Sequence, residues 1–144
     1  MPRRQRILLP FLALAGFLAF AGAGTAADLM TVCAPEIQKY STDVSKGRGR
    51  VSACLLGRMD KLSAACKPEV LAVRQSRATP DYARKVFDPA FRAPLPQACV
   101  ASAKSLCAAV PTGDGRAFAC LYARSDRVPK ACAESAQAEL KQMK

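Results

Sequence analysis

The sequence GRGRVSACL at residues 47–55 recurs 66 positions later as GDGRAFACL at residues 113–121. Three cysteines in and around the first copy recur at the same offset of 66, so that Cys33, Cys54 and Cys66 correspond to Cys99, Cys120 and Cys132. Because no gap is needed to align the two copies, the chain is predicted to contain one structural unit twice. Cys107 of the second copy corresponds to Ser41 of the first, and this difference accounts for the odd total of seven cysteines.

Each copy has the periodicity of a helical hairpin. Residues spaced by one and two helical turns predict a helix face in both copies: Cys33, Ile37, Tyr40 and Val44, then Cys99, Ala103, Leu106 and Val110. Glycines in the turn that follows can adopt positive φ, end this helix and reverse the chain. The predicted turn residues are Gly47, Gly49 and Arg50 in the first copy, and Gly113, Gly115 and Arg116 in the second.

A second helix in each copy would contain the Cys-Leu pair at residues 54–55 or 120–121, and a third, short helix would follow. The third helix is predicted to start at Asp60 or Ser63 in the first copy and near Asp126 in the second. No stretch shows the alternating pattern of a strand. We therefore predict an all-α fold of two disulfide-linked helical hairpins joined by a proline-rich linker.

The hairpin geometry suggests which cysteines are bonded. Cys107 precedes the turn by about as many residues as Cys120 follows it, so the two can meet across an antiparallel helix pair. Cys99 lies farther from the turn and could reach Cys132 beyond the second helix. The sequence alone permits other connectivities. The predicted bonds are Cys107–Cys120 nested inside Cys99–Cys132, and Cys33–Cys66 in the first copy.

Cys54 has no partner in this scheme, because Ser41 replaces the cysteine to which it would bond. One interpretation is a buried thiol packed opposite Ser41. A second interpretation is an intermolecular disulfide, which would give a covalent homodimer or a mixed complex. A third, a redox-sensitive thiol, is disfavoured because the chain has no histidine and no C-x-x-C motif.

The N-terminal residues 1–27 are typical of a secretory signal peptide. Three arginines, an apolar run at residues 7–20 and small residues up to Ala27 follow one another in the expected order. The apolar run is shorter than the roughly 20 residues that span a bilayer, which argues against an uncleaved membrane anchor. We expect an exported protein, periplasmic or secreted, with no transmembrane span after cleavage. Its net charge would fall from +11 to +8 with the loss of Arg3, Arg4 and Arg6.

The rest of the chain divides into the two copies, residues 28–76 and 99–144, and a linker at residues 77–98. Four prolines favour extended backbone in the linker. A short helix is nevertheless predicted at residues 81–87. The bulky apolar side chains of the linker are expected to pack on the hairpins, the alternative being an exposed strip for a partner: Tyr82, Val86, Phe87 and Phe91.

The repeat resembles the cysteine-rich repeat of the Golgi apparatus protein, also described as a cysteine-rich fibroblast growth factor receptor and as an E-selectin ligand. Short exported bacterial proteins carry such repeats too. The resemblance rests on the cysteine spacing and on the G-x-G-R core before Cys54-Leu55 and Cys120-Leu121, and it covers residues 33–76 and 99–142. Ser41 departs from the four-cysteine pattern. The resemblance implies a binding or structural module without known catalytic residues, and the ligands of the large relatives do not transfer.

The composition limits the chemistry. Without histidine the chain cannot form a Ser-His-Asp or Cys-His catalytic site, nor a metal site with histidine ligands. The sequence also lacks the close cysteine pairs of zinc sites and any paired-carboxylate, phosphate-loop or cofactor motif. We therefore expect no enzyme activity, no catalytic residue, no metal and no cofactor. The predicted function is a non-catalytic binding or structural module whose ligand or protein partner is unknown.

The positive charge supports an alternative function, binding to an anionic envelope surface such as lipid headgroups or a polyanionic glycan. A merely solvated basic surface would have the same composition. Nucleic acid is disfavoured as a partner because the protein is expected to be exported. The basic residues considered for such a surface are Arg48, Arg50, Arg58, Lys61, Arg84 and Lys85.

Overall fold

The computed structural model describes residues 26–88, 91–111, 113 and 115–142, and within these residues it contains helices but no strand. The prediction of an all-α fold is therefore confirmed for the described chain. Residues 1–25, most of the predicted signal peptide, lie outside the described residues. The α-helices are α1 (Ala26–Val32), α2 (Ala34–Tyr40), α3 (Arg50–Leu56), α4 (Cys66–Ala72), α5 (Asp81–Arg84), α6 (Val100–Leu106), α7 (Arg116–Ala123) and α8 (Lys130–Gln142). Short 3-10 helices lie at Met59–Lys61, Val73–Gln75, Lys85–Phe87 and Gln97–Cys99.

The first helix of each hairpin is shorter than its apolar periodicity predicts. α2 ends at Tyr40 and α6 at Leu106, so the last predicted residues of this face lie beyond the helices. The residue after each helix has a non-helical backbone conformation. Ser41 has φ −136° and ψ 19°, and Cys107 has φ −126° and ψ 18°. These two residues, which correspond in the sequence, therefore also share a backbone conformation.

All four turn glycines have the predicted positive φ: Gly47, Gly49, Gly113 and Gly115. They do not end the preceding helices, which stop earlier at Tyr40 and Leu106; Gly49 and Gly115 instead begin the following ones. Gly49, with φ 74°, caps α3, and Gly115, with φ 68°, caps α7. Glycine adopts this left-handed conformation at little cost. Space is limited as well, because a Cβ on Gly115 would lie 2.3 Å from Phe91 Cδ1 and one on Gly49 would lie 2.5 Å from Thr79 Oγ1.

Helices α3 and α7, which carry the repeated Cys-Leu pairs, pack against each other at the centre of the molecule. All residues of α3 from Val51 to Leu56 are buried. In α7 the residues from Phe118 to Leu121 are buried, together with Ala123. A helix that is apolar and buried on nearly every face belongs to the interior of the fold, so α3 is the core helix.

The two copies contact each other reciprocally. Arg58, which follows α3, donates from Nη1 to the carbonyl oxygen of Ala109 at 3.1 Å. Arg124, its counterpart after α7, donates to Asp43, the counterpart of Ala109, from Nη2 at 3.1 Å and from Nε at 3.2 Å. Reciprocal contacts of this kind are typical of a two-fold symmetric pair. The chain thus packs its two similar segments much as two subunits of a dimer pack.

The third helix of each copy begins later than predicted. α4 begins at Cys66, whose N–H donates to Ser63 Oγ at 3.2 Å, so Ser63 supports the start of the helix from outside it. Pro68 lies in the first turn of α4, where the missing N–H removes no helical hydrogen bond. α8 begins at Lys130 and is the longest helix of the described chain.

The linker contributes to the core. α5 and the 3-10 helix at Lys85–Phe87 occupy the range in which a short helix is predicted. Phe87 is 1% exposed and Phe91 is 3% exposed, so the alternative of an exposed apolar strip is wrong for these two side chains. The Phe91 ring packs edge-to-face on Phe118, with ring centroids 5.4 Å apart. The linker thereby covers one side of α7.

We expect Gly115→Ala to lower the free energy of unfolding by about 2–4 kcal/mol, because the new methyl group would overlap the Phe91 ring in a backbone conformation that alanine disfavours. Gly113→Ala is the matched control, since Gly113 also has positive φ, 97°, but in the part of the chain that the structure describes nothing beyond its chain neighbours lies within 4 Å of an added Cβ. The control should lose only about 1 kcal/mol. Urea unfolding without reductant measures both losses, and equal losses would contradict the steric argument.

Candidate functional site

Three disulfides join the helices, and they are the bonds that the hairpin geometry suggests. Cys33–Cys66 links the start of α2 to the start of α4. Cys99–Cys132 links the start of α6 to α8, and Cys107–Cys120 links the end of α6 to the middle of α7. Closed loops of this length contribute on the order of 3–4 kcal/mol per bond in the chain-entropy model. The disulfides therefore hold short helices whose own stability is small.

Cys54 is the free cysteine, and its side chain is buried at 2% exposure. Its thiol can donate to the carbonyl oxygen of Tyr40, because the sulfur lies 3.1 Å from that oxygen. Ser41 is buried as well, and its Oγ has no hydrogen-bond partner within the described chain. Burial of Cys54 agrees with the first interpretation of this thiol and argues against an intermolecular disulfide through it.

A buried arginine lies beside the free thiol and was missed by the sequence interpretation. Arg124 is 7% exposed, and its Nη1 lies 3.8 Å from Cys54 Sγ and 3.4 Å from Cys120 Sγ. Asp43 accepts two hydrogen bonds from the same guanidinium and a further one from Arg127. The spacing in the sequence could have indicated that Arg124 lies near Cys120, because residues four apart lie on the same face of a helix.

The Asp43 carboxylate compensates the buried charge of Arg124. Burial would raise the pKa of Asp43, but hydrogen bonds from Arg127 and Arg124 and the positive charges of both outweigh it, and the pKa is lowered. Asp43 is thus ionised throughout the neutral range and serves as a structural counter-ion. A carboxylate held in this way is poorly suited to general acid or base catalysis, which requires a pKa near the working pH.

An open groove of about 590 Å³ lies between the linker, α6 and the start of α7. The linker residues 92–95 form one wall and α6 with Cys107 forms the other. Phe118, held by its contact with Phe91, lines the base near the turn. Most of the residues that line the groove are apolar, among them Pro94, Leu95, Ala103, Ala108, Val110 and Phe118.

All charged residues that line the groove within the described chain are cationic: Arg92, Lys104 and Arg116. Arg116 is ion-paired with Asp60, with 2.9 Å between Nη1 and Oδ1. Arg92 donates from Nη1 to the carbonyl oxygen of Phe91 at 2.7 Å. Lys104 is exposed on α6. An apolar surface flanked by positive charge is suited to a ligand that has an apolar body and a negative group.

The corresponding residues of the first copy lack the apolar side chains and the lysine of the groove. Gln38 corresponds to Lys104, Thr42 to Ala108 and Ser52 to Phe118. Thr79 and Val73 occupy the space beside Gly49, where Phe91 occupies the space beside its counterpart Gly115. The groove is therefore not an automatic consequence of the repeated fold, because it depends on side chains that the two copies do not share.

The basic residues predicted for an anionic surface are partly used within the fold. Arg50 donates to the carbonyl oxygen of Lys46 at 3.1 Å, and Arg84 is ion-paired with Asp81. Arg58, besides its bond to the second copy, lies 5.1 Å from the centre of the Tyr40 ring. The remaining predicted basic residues are Arg48 and Lys61, which are exposed, and Lys85, which is half-buried. Of the predicted turn residues, Gly47 lies just before α3 and Arg50 is its first residue. The residues Lys104 and Arg92, which line the groove, were not predicted from the sequence.

The described residues contain no helix with both the length and the apolar character that crossing a bilayer requires. They also contain no group of three His, Cys, Asp or Glu side chains placed to hold a metal ion. In comparisons with known proteins, the chain matches no family model, no curated protein and no solved structure. The resemblance to the cysteine-rich repeat stays a prediction, and the geometry of the groove is the basis for a function.

We expect Ser41→Cys to form a fourth disulfide with Cys54, because Ser41 has the backbone conformation of Cys107 and Cys54 corresponds to Cys120. A loop of this length contributes about 3 kcal/mol in the chain-entropy model. Thiol titration of the denatured protein should then fall from the one free thiol of the natural chain to none.

The control for this disulfide is Thr42→Cys, which adds a cysteine at the neighbouring exposed position. It should leave two titratable thiols, one of them Cys54. Two thiols in the Ser41→Cys protein as well would show that the two sulfurs cannot meet.

We expect Asp43→Asn to destabilise the protein by about 1–2 kcal/mol at neutral pH, because the buried Arg124 charge loses its counter-ion while Asp43 itself is partly solvated. The lowered pKa of Asp43 means that its contribution is present above the unfolded-state pKa of about 3.9 and is lost as the pH falls through the lower folded-state pKa. The free energies of unfolding of the two proteins should therefore converge as the pH falls below the unfolded-state pKa of about 3.9.

Glu134→Gln is the control for the pH series, since Glu134 forms an exposed pair with Lys130 at 3.6 Å. That substitution should change stability little at any pH. A pH-independent difference between Asp43→Asn and the natural protein would contradict the counter-ion role.

Proposed function

We propose that this chain is an exported, non-catalytic binding module and that the groove between the linker, α6 and α7 is its binding site. The observation that carries the proposal is the groove itself. Its volume of about 590 Å³ and its mostly apolar lining with a few charged groups are the usual features of a small-molecule site. The Cys107–Cys120 bond ties its α6 wall to α7, so the site is held in shape without a ligand.

Export is supported by two independent features. Three disulfides in a small chain are typical of proteins from oxidising compartments outside the cytosol. The N-terminal sequence has the order of charged, apolar and small residues of a signal peptide. A periplasmic or secreted location accounts for both features.

A non-catalytic role is supported by the state of the reactive groups. The carboxylate of Asp43 is held between two arginines, and the thiol of Cys54 is buried against the Tyr40 carbonyl. These groups stabilise the contact between the two copies and do not line the groove. The groove instead presents apolar surface and positive charge, which suits recognition better than chemistry.

The alternative of general attraction to an anionic envelope surface has weaker support. Several of the basic residues that suggested it are engaged by neighbours in the fold, as Arg58 is by Ala109 and Arg84 by Asp81. Attraction by net charge alone is screened by salt and needs no groove. A covalent homodimer through Cys54 would require exposure of a side chain that is 2% exposed.

We expect the neutral dye phenylnaphthylamine to bind the groove, and Ala108→Trp to weaken that binding about tenfold or more by filling it. Ala108 is exposed on the groove wall, so the larger side chain needs no rearrangement of the core. Thr42→Trp is the matched control, because Thr42 is the exposed counterpart of Ala108 in the first copy. Dye fluorescence titrations measure the binding constants, and equal weakening by both variants, or no binding to the natural protein, would refute the proposed site.

A further inference from the structure

We propose that the groove selects a single-chain amphiphile with a carboxylate head group, a fatty carboxylate, and that Lys104 binds the head group. This inference rests on the proposed binding function of the groove and adds the chemical class of the ligand. The inference follows from the sign of the charges that line the groove, from the availability of Lys104 for pairing, and from the apolar side chains that line the rest of the groove.

The charged residues that line the groove determine which sign of charge a ligand should carry. Arg92 lies on the linker wall, Lys104 on the α6 wall and Arg116 at the end near the turn, and no acidic residue of the described chain lines the groove. A cationic ligand would meet repulsion from Arg92 and Lys104, and a neutral one would gain nothing from their charges. An anionic group on the ligand is the complementary choice.

The three cations of the groove differ in their availability for pairing with a ligand. Arg116 is 21% exposed and is neutralised by Asp60, so it is part of the contact between the two copies. The Arg92 guanidinium is engaged with the Phe91 carbonyl. Lys104 is exposed, and within the described chain it has no ion-pair partner. Arg92 keeps its charge, because the carbonyl is neutral, and adds to the positive potential of the groove, while Lys104 is the cation placed to pair with the head group. A carboxylate brings one negative charge to this apolar surface, whereas a phosphate monoester brings nearly two and is costlier to desolvate.

The apolar side chains of the groove determine what the uncharged part of the ligand should be. Leu95, Ala103, Val110 and Phe118 line a continuous open groove and offer few hydrogen-bonding groups apart from the backbone. A flexible alkyl chain needs none and can adapt its conformation to an open apolar groove. The volume of about 590 Å³ lies within the range for single small ligands, which favours one amphiphile over a membrane surface.

The test uses the purified exported protein and three probes with the same alkyl chain: dodecanoate, dodecanol and dodecyltrimethylammonium. Each probe is titrated against bound phenylnaphthylamine at low salt and at about 1 M salt, where charges are screened beyond about 3 Å. We expect dodecanoate to compete at least about threefold better than dodecanol at low salt, and the cation to compete worst. The advantage of dodecanoate should vanish at high salt.

Two substitutions locate the head group. Lys104→Gln should weaken dodecanoate about threefold and leave dodecanol unchanged, because an exposed ion pair contributes modestly. Lys104→Glu should weaken dodecanoate further, by about tenfold, through repulsion. Lys67→Gln, which removes an exposed lysine from α4, is the control and should change neither constant.

The outcomes separate this inference from the proposed function. Equal competition by dodecanoate and dodecanol, or a dodecanoate constant that Lys104→Gln leaves unchanged, would overturn the carboxylate selectivity while the Ala108→Trp result still supports the groove. If the dye binds but none of the probes displaces it, the carboxylate inference is wrong, and if the dye itself does not bind the natural protein, both proposals are wrong. Both the binding groove and its carboxylate selectivity are supported if dodecanoate binding is weakened by salt, by Lys104→Gln and by Ala108→Trp.

Discussion

Helix α3 packs against helix α7, and the position of every other element depends on this contact. Each helix is short, seven residues in α3 and eight in α7, and helices of this length are unstable in isolation. α3 is buried over six consecutive residues, which a single hairpin could not achieve. Each copy therefore supplies the apolar surface that the other lacks, and the chain folds as a pair of similar units.

Two corresponding arginines cross between the copies, but they contact different chemical groups. Arg58 crosses to a backbone carbonyl, while its counterpart Arg124 crosses to the carboxylate of Asp43. Likewise the second copy has a disulfide where the first has the buried pair of Ser41 and Cys54. The first copy thus lacks one covalent link, and the charged cluster around Arg124 adds polar contacts across the same region.

The linker forms one wall of the groove in the second copy. Phe91 occupies the space beside Gly115 and packs on Phe118, which fixes the linker on α7 and sets one wall of the groove. In the first copy Thr79 and Val73 lie against the corresponding Gly49. Both glycines serve the same steric purpose, but only the residues of the second copy combine with the linker to give the apolar groove flanked by cations.

The helical class, the short linker helix and the cysteine pairs could be predicted, because they depend on local periodicity and on loops of at most 33 residues. The ends of α2 and α6 could not, since the backbone of Ser41 and Cys107 is set by packing rather than by apolar spacing. The positive φ of the turn glycines could be predicted, but not which helix Gly49 and Gly115 cap, because a positive φ suits the start of one helix as well as the end of another.

The sequence by itself determined an all-α chain with a duplicated cysteine motif and an unmatched Cys54, because these are properties of spacing along the chain. Only the tertiary structure decided that Cys54 is buried, that Arg124 reaches Asp43 across 81 residues, and that the linker and α6 enclose a cationic groove. The physical reason is that these features arise from contacts between the two copies and the linker, and such contacts leave no periodic signal in either copy.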